Sequence, residues 1–203
     1  MHVLFVTSEA FPLIKTGGLA DVSGALPKAI KNLDSFIGEI KILMPAYTGV
    51  LEKLQSTQQV ANIQALGHHC QLYIGKMPES DIEVIVIQNS SLYEREGGPY
   101  NDLYGNDWPD NALRFGVLSR IASILSTQYS PLNWQPDLIH CNDWQTGLTP
   151  LYVKLVDKSD AKTLFSIHNM AYQGNFHPGT INELELPAEH FNINGYEFYN
   201  QIS

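Results

Sequence analysis

Basic residues are scarce in this chain. Twelve lysines and arginines stand against 21 aspartates and glutamates, a formal net charge of −9 over 203 residues. Charge of that sign argues against a nucleic-acid surface or an anionic membrane as partner. It leaves room for a local basic pocket, and makes any lysine in a glycine loop conspicuous. Cysteine is scarcer still: Cys70 and Cys141 are the two. Two thiols make no disulfide framework, so a reducing, cytoplasmic setting is expected. The opening MHVLFVTSEAF has no basic leader and too short an apolar run for a signal peptide. No stretch approaches membrane-span length. The seven histidines are scattered without ligand spacing to cysteine, so no metal site is expected. Internal repeats, low-complexity tracts and charge blocks are lacking, as are G-x-G-x-x-G and G-x-x-x-x-G-K-[ST].

What is present is a folding chain, 44% hydrophobic and 16% charged, of a length that suits one large domain. Six short apolar runs rich in branched residues read as buried strands: 2–7, 39–45, 69–75, 82–88, 137–141 and 162–168. Helical spacing falls between them at 19–33, 110–129 and 144–156. Strands alternating with helices predict an α/β, mostly parallel sheet with helices on both faces. Around 58–88 three strand-like runs follow one another without a helix, which predicts an inserted hairpin or antiparallel edge. The alternation looks unfinished at INGYEFYNQIS, so a fragment of a longer protein is expected.

The stretch Lys15-Thr16-Gly17-Gly18-Leu19-Ala20-Asp21 joins the first strand to the first helix. Adjacent glycines let the backbone come close, the first N–H groups of a helix lack partners, and a lysine adds mobile positive charge. The spacing fits two readings equally: an anion site, or a plain strand-to-helix turn with a surface lysine. In parallel sheets ligands sit beyond the carboxyl ends of the strands. The tails found there carry Tyr47, Asn142-Asp143-Trp144-Gln145 and His168-Asn169-Met170-Ala171-Tyr172. Amides and carboxylates bond hydroxyls, and aromatic faces cover sugar rings, so a carbohydrate is the expected substrate class.

Four segments, SEAFPLIKTGGLADVSGALPKAI, PDLIHCNDWQTGLTP, FSIHNMAYQG and GYEFYNQIS, occur in an order that resembles the N-terminal half of the bacterial glycogen synthases and their starch synthase relatives. The resemblance spans all 203 residues. It implies the first of two Rossmann-like domains of a GT-B glycosyltransferase, with the nucleotide-binding domain outside this chain. It implies an enzyme that moves glucose from ADP-glucose to the non-reducing end of an α-1,4-glucan with retention, without a cofactor. Alone, the half would be inactive.

Residue by residue, the resemblance puts Lys15 near the donor phosphates with the Gly17 and Gly18 amides beside it. Asp21 matches an aspartate at the helix start, where a first-turn acid is also expected from the dipole alone. Asp143 and Trp144 match the pair lining the sugar subsite, with core packing the plainer role for Trp144. His168 matches a histidine contacting the donor glucose; Asn169 would orient neighbours or bond hydroxyls. Lys15, Asp143 and His168 are the catalytic candidates. Tyr100 matches a tyrosine on the acceptor side, and Asp110 and Asn111 open a helix where N-capping competes. Where some relatives carry histidines, this chain has Asn142 and Gln145, so no proton relay is assigned there. His140 is expected to be packed or bonded to backbone. Two rivals remain: another nucleotide-sugar enzyme on a Rossmann sheet, and a non-catalytic glucan-binding module.

Overall fold

A computed structural model describes residues 1–33 and 36–203. Seven strands form one sheet: β1 (His2–Val6), β2 (Glu39–Pro45), β3 (Gln55–Ala65), β4 (His68–Lys76), β5 (Glu83–Gln88), β6 (Leu138–Asn142) and β7 (Lys162–Ser166). Their order is β3-β4-β5-β2-β1-β6-β7. The five from β5 to β7 pair in parallel, and β3 and β4 add an antiparallel edge. That edge is the expected hairpin insertion. Val3, Leu4, Phe5 and Val6 are all buried although successive side chains point to opposite faces, so β1 is covered on both sides.

Helix α1 (Gly18–Leu33) links β1 to β2. Single turns α2 (Val50–Lys53) and α3 (Ser90–Tyr93) punctuate the middle, and α4 (Asn111–Ile124) leads to β6. Twelve of the fourteen α4 residues are buried, because the helix lies between the sheet and segment 144–156. Gly116 lets Leu184 of a later loop close against the same helix: a Cβ there would meet Leu184 Cδ2 at 2.5 Å.

Three boundaries depart from the expectation. The helix expected to reach 129 stops at Ile124, where the Ser126 and Thr127 hydroxyls donate to the Ser123 and Ile124 carbonyls at 2.7 and 2.8 Å and turn the chain. The helix expected over 144–156 is three pieces: a 3₁₀ turn at Trp144–Thr146, an α turn at Thr149–Leu151 and a π turn at Tyr152–Val156. Pro150 supplies no amide hydrogen there, and the Asp157 carboxylate is held by Arg120 and Ser123, drawing its own amide to the Tyr152 carbonyl at 2.8 Å. Strand β7 ends at Ser166 rather than 168, because the Asp143 side chain captures the His168 amide.

Candidate functional site

Strands β2 and β5 lie on one side of β1, and β6 and β7 on the other, so the tips of β1 and β6 flank a topological switch point. A cleft of about 1000 Å³ opens there. Gly17, Gly18 and Tyr100 line one part of it, and Asp143, Trp144, His168 and Asn169 another. Seven of the nine expected site residues therefore meet. Lys15 and Asp21 stand beside the cleft, two residues before and three after its lining glycines.

The first wall is organised by Glu9, which sequence reasoning missed. Glu9 follows β1, is 3% exposed, and its carboxylate accepts from the Thr16 amide at 2.5 Å, the Thr16 hydroxyl at 2.8 Å and the Gly17 amide at 3.3 Å. The Gly17 amide, expected beside Lys15 near the donor phosphates, thus faces a carboxylate of the chain itself. Gly18, at the start of α1, has open space where a Cβ would stand. Lys15 bonds both Asp21 oxygens at 2.7 Å and lies 5.8 Å from the Phe11 ring centroid. Both side chains of that pair are about half exposed, and such pairs contribute only about 0–1 kcal/mol, so the lysine is easily released.

Tyr100 points inward. Its hydroxyl donates to Glu9 Oε1 at 2.7 Å and lies 2.8 Å from Ser8 Oγ. Burial, with Tyr47 and Glu9 nearby, pushes its pKa far above the usual phenol value. Tyr100, matched to a tyrosine on the acceptor side, thus lines the cleft with its hydroxyl bonded within the wall. Its backbone is pinned too, because Asn111 Nδ2 donates to the Tyr100 carbonyl at 2.8 Å. Asp110 does not cap α4 with its side chain; it takes a fork from Arg95 at 2.8 and 2.6 Å. Burial raises its pKa, but the Arg95 bonds and charge outweigh this and leave it below the ordinary value.

The second wall starts from strained backbone. Asp143 has φ 57° and ψ 177°, a region that glycine alone adopts freely. The bend aims its carboxylate at the turn after β7, where Oδ1 accepts from the His168 amide at 2.6 Å and the Asn169 amide at 3.4 Å. Asp143 therefore anchors the His168 turn as well as lining the cleft. The His168 ring reaches back, Nε2 lying 3.0 Å from Asn142 Oδ1. Asn169 is exposed and accepts from the Ala171 amide at 3.0 Å. His140 packs edge-on to Phe5 with ring centroids 4.9 Å apart, and its Nε2 meets Ser166 Oγ at 2.8 Å rather than a backbone group. Burial, then the neighbouring His168, holds its pKa below the ordinary histidine value.

Trp144 unites both roles weighed for it. Its ring centroid lies 5.0 Å from Phe115, 5.6 Å from Phe176 and 6.3 Å from Tyr100, an aromatic cluster that builds the cleft floor. Gly174 sits against its face. Among the described residues Gln145 Oε1 is buried without a partner while the residue lines the cleft. No group of three or more histidine, cysteine or acidic side chains among the described residues is arranged to hold a metal. No described helix is long and apolar enough to cross a membrane.

A mostly parallel α/β sheet with a polar, aromatic-floored cleft at its switch point defines a Rossmann-like ligand-binding domain, and the comparisons narrow it. Residues 2–203 match the family described as starch synthase catalytic domain, and the chain belongs to that family. It is 44% identical to a glycogen synthase of Nitrosomonas europaea and 44% identical to one of Paramagnetospirillum magneticum, over the whole of this chain and 41% of each relative. The catalytic domain of starch synthase IV from Arabidopsis thaliana, solved bound to ADP and acarbose, aligns with a TM-score of 0.79 and 25% identity. That alignment covers 99% of this chain and 41% of the plant one. The chain thus spans about two fifths of the length of the relatives it matches.

Proposed function

We propose that this chain is the N-terminal, acceptor-side part of a two-domain GT-B enzyme of the cytoplasm whose nucleotide-binding domain lies outside it. The full-length protein transfers glucose from ADP-glucose to the non-reducing end of an α-1,4-glucan, with retention. One observation carries this reading: the glycine loop, the Asp143-Trp144 pair and the His168 turn meet in one cleft at the switch point. The plant relative's ADP and acarbose, a nucleotide and a sugar analogue, support the same ligand classes here.

Lys15 leaves Asp21 and sets its ammonium by the diphosphate, with the Gly18 amide at the helix start, stabilising charge on the departing ADP. His168 and Asn169 meet the sugar, and Trp144 backs the ring. Retaining hydrolases use two free carboxylates about 5 Å apart. The two buried acids of this cleft, Glu9 and Asp143, are both committed to backbone amides. That supports a front-side path in which the leaving phosphate takes the acceptor's proton and the protein contributes position and field.

In the full-length protein, Lys15→Ala should lower kcat by about 10²–10³-fold, the effect of removing one charge-stabilising donor, with an unchanged melting temperature. ADP-glucose turnover onto glycogen, compared with UDP-glucose, reads both the role and the donor. Wild-type turnover in the variant would refute the phosphate role. Because the chain covers two fifths of its relatives, glucan binding alone is the second reading for these 203 residues. Glycogen retention on an affinity gel, with turnover appearing only in the full-length protein, separates the two.

A further inference from the structure

Asn142 stands where sequence reasoning assigned no role. It is completely buried at the tip of β6, and its side chain has three hydrogen-bond partners. Nδ2 donates to the Val6 carbonyl at 3.0 Å and to the His140 carbonyl at 3.1 Å. Neither carbonyl can donate, so the amide has one possible orientation: turned over, it would set oxygen against oxygen twice. The atom facing His168 is therefore Oδ1, which only accepts. His168 Nε2, 3.0 Å away, must supply the hydrogen.

From this chain of constraints we propose that Asn142 is a positioning residue that fixes neutral His168 as the Nε2–H tautomer. The lone pair of Nδ1 is then free, and Nδ1 has no hydrogen-bond partner among the described residues. An imidazole nitrogen with a lone pair takes a hydrogen bond from a hydroxyl and offers nothing to an anionic oxygen. The turn that carries the ring is itself held, because Asp143 Oδ1 accepts from the His168 backbone amide at 2.6 Å. The other titratable ring nearby, His140, is turned to Ser166 and does not compete for Asn142 Oδ1. The consequence rests on the proposed glucosyl transfer: His168 recognises a sugar hydroxyl through Nδ1, while the diphosphate is left to Lys15 and the helix start.

The test is the histidine side-chain nitrogen spectrum of the full-length protein at a pH of about 8.5, where imidazole is neutral. The His168 signals are identified by their loss in His168→Asn. The expected result is an unmixed Nε2–H tautomer in wild type and a measurable share of Nδ1–H in Asn142→Ala. A wild-type Nδ1–H tautomer overturns the proposal without needing Asn142→Ala to fold, and so does an unmixed Nε2–H tautomer that survives in a folded Asn142→Ala. Turnover gives an independent arm. His168→Asn carries an amide near the place of Nδ1 and His168→Gln near that of Nε2, so the first should keep about tenfold more kcat/KM, the worth of one hydrogen bond. The reverse order overturns the hydroxyl role. If no donor is turned over at all, the glucosyl-transfer reading fails while the spectrum still decides the tautomer.

Discussion

Asp143 holds a backbone conformation suited to glycine and uses the side chain that glycine lacks. Two opposing effects follow. Alanine keeps the strain and loses the carboxylate bonds to the 168 and 169 amides, which should cost about 1.5–3 kcal/mol. Glycine loses the same bonds but relieves about 1–3 kcal/mol of strain. Asp143→Gly should therefore be more stable than Asp143→Ala, by a denaturant midpoint, against the usual order. A less stable glycine variant would mean that the backbone at Asp143 is relaxed. The thiols behave in the opposite way, as inert packing. Burial pushes Cys70 up to about 11 and Cys141 up to about 12, so neither carries thiolate at neutral pH. At a pH of about 8 an aromatic disulfide reagent should label neither in the folded protein and both in denaturant; rapid labelling of either native thiol would contradict their placement.

Between elements, the packing of one turn on one ring sets the cleft floor. Gly174 has φ 62°, and a Cβ there would meet Trp144 Cε3 at 2.5 Å. Gly174→Ala adds left-handed strain of about 1–2 kcal/mol and an overpacking cost of about 1–3 kcal/mol. It should lower the melting temperature and shift tryptophan fluorescence, and an unchanged spectrum would contradict the contact. Elements of this kind differ in how plainly the chain spells them. The strands β1, β2, β5 and β6 are legible because burial on both faces demands largely apolar runs such as EVIVIQ. QSTQQVANIQA is an edge strand with a largely solvated face, so its polar letters blur its limits. Segment 144–156 misleads because leucines at helical spacing fit an unbroken helix as well as the three short turns actually formed. Glu9 was invisible for another reason. Its partners are backbone amides seven and eight residues on, and no side-chain pattern marks an amide as taken. The same applies to Tyr100, whose hydroxyl partner Glu9 lies 91 residues away in the chain.

At the scale of the molecule, two loops from opposite sides of the switch point are each tied down by an internal carboxylate, Glu9 for the glycine loop and Asp143 for the histidine turn. The cleft is in this sense pre-organised, and the half-exposed Lys15–Asp21 pair beside it is weakly held. Donor binding should break that pair and little else. A crystal structure of the full-length protein with an unreactive ADP-glucose analogue tests this most directly. Lys15 Nζ should be within about 3 Å of a diphosphate oxygen, the hydrogen-bond range, and no longer bonded to Asp21. The sugar should lie against His168, with the Glu9 and Asp143 contacts intact. A donor bound away from this cleft, or one that displaces Glu9 from the Thr16 and Gly17 amides while Lys15 stays on Asp21, would contradict the account.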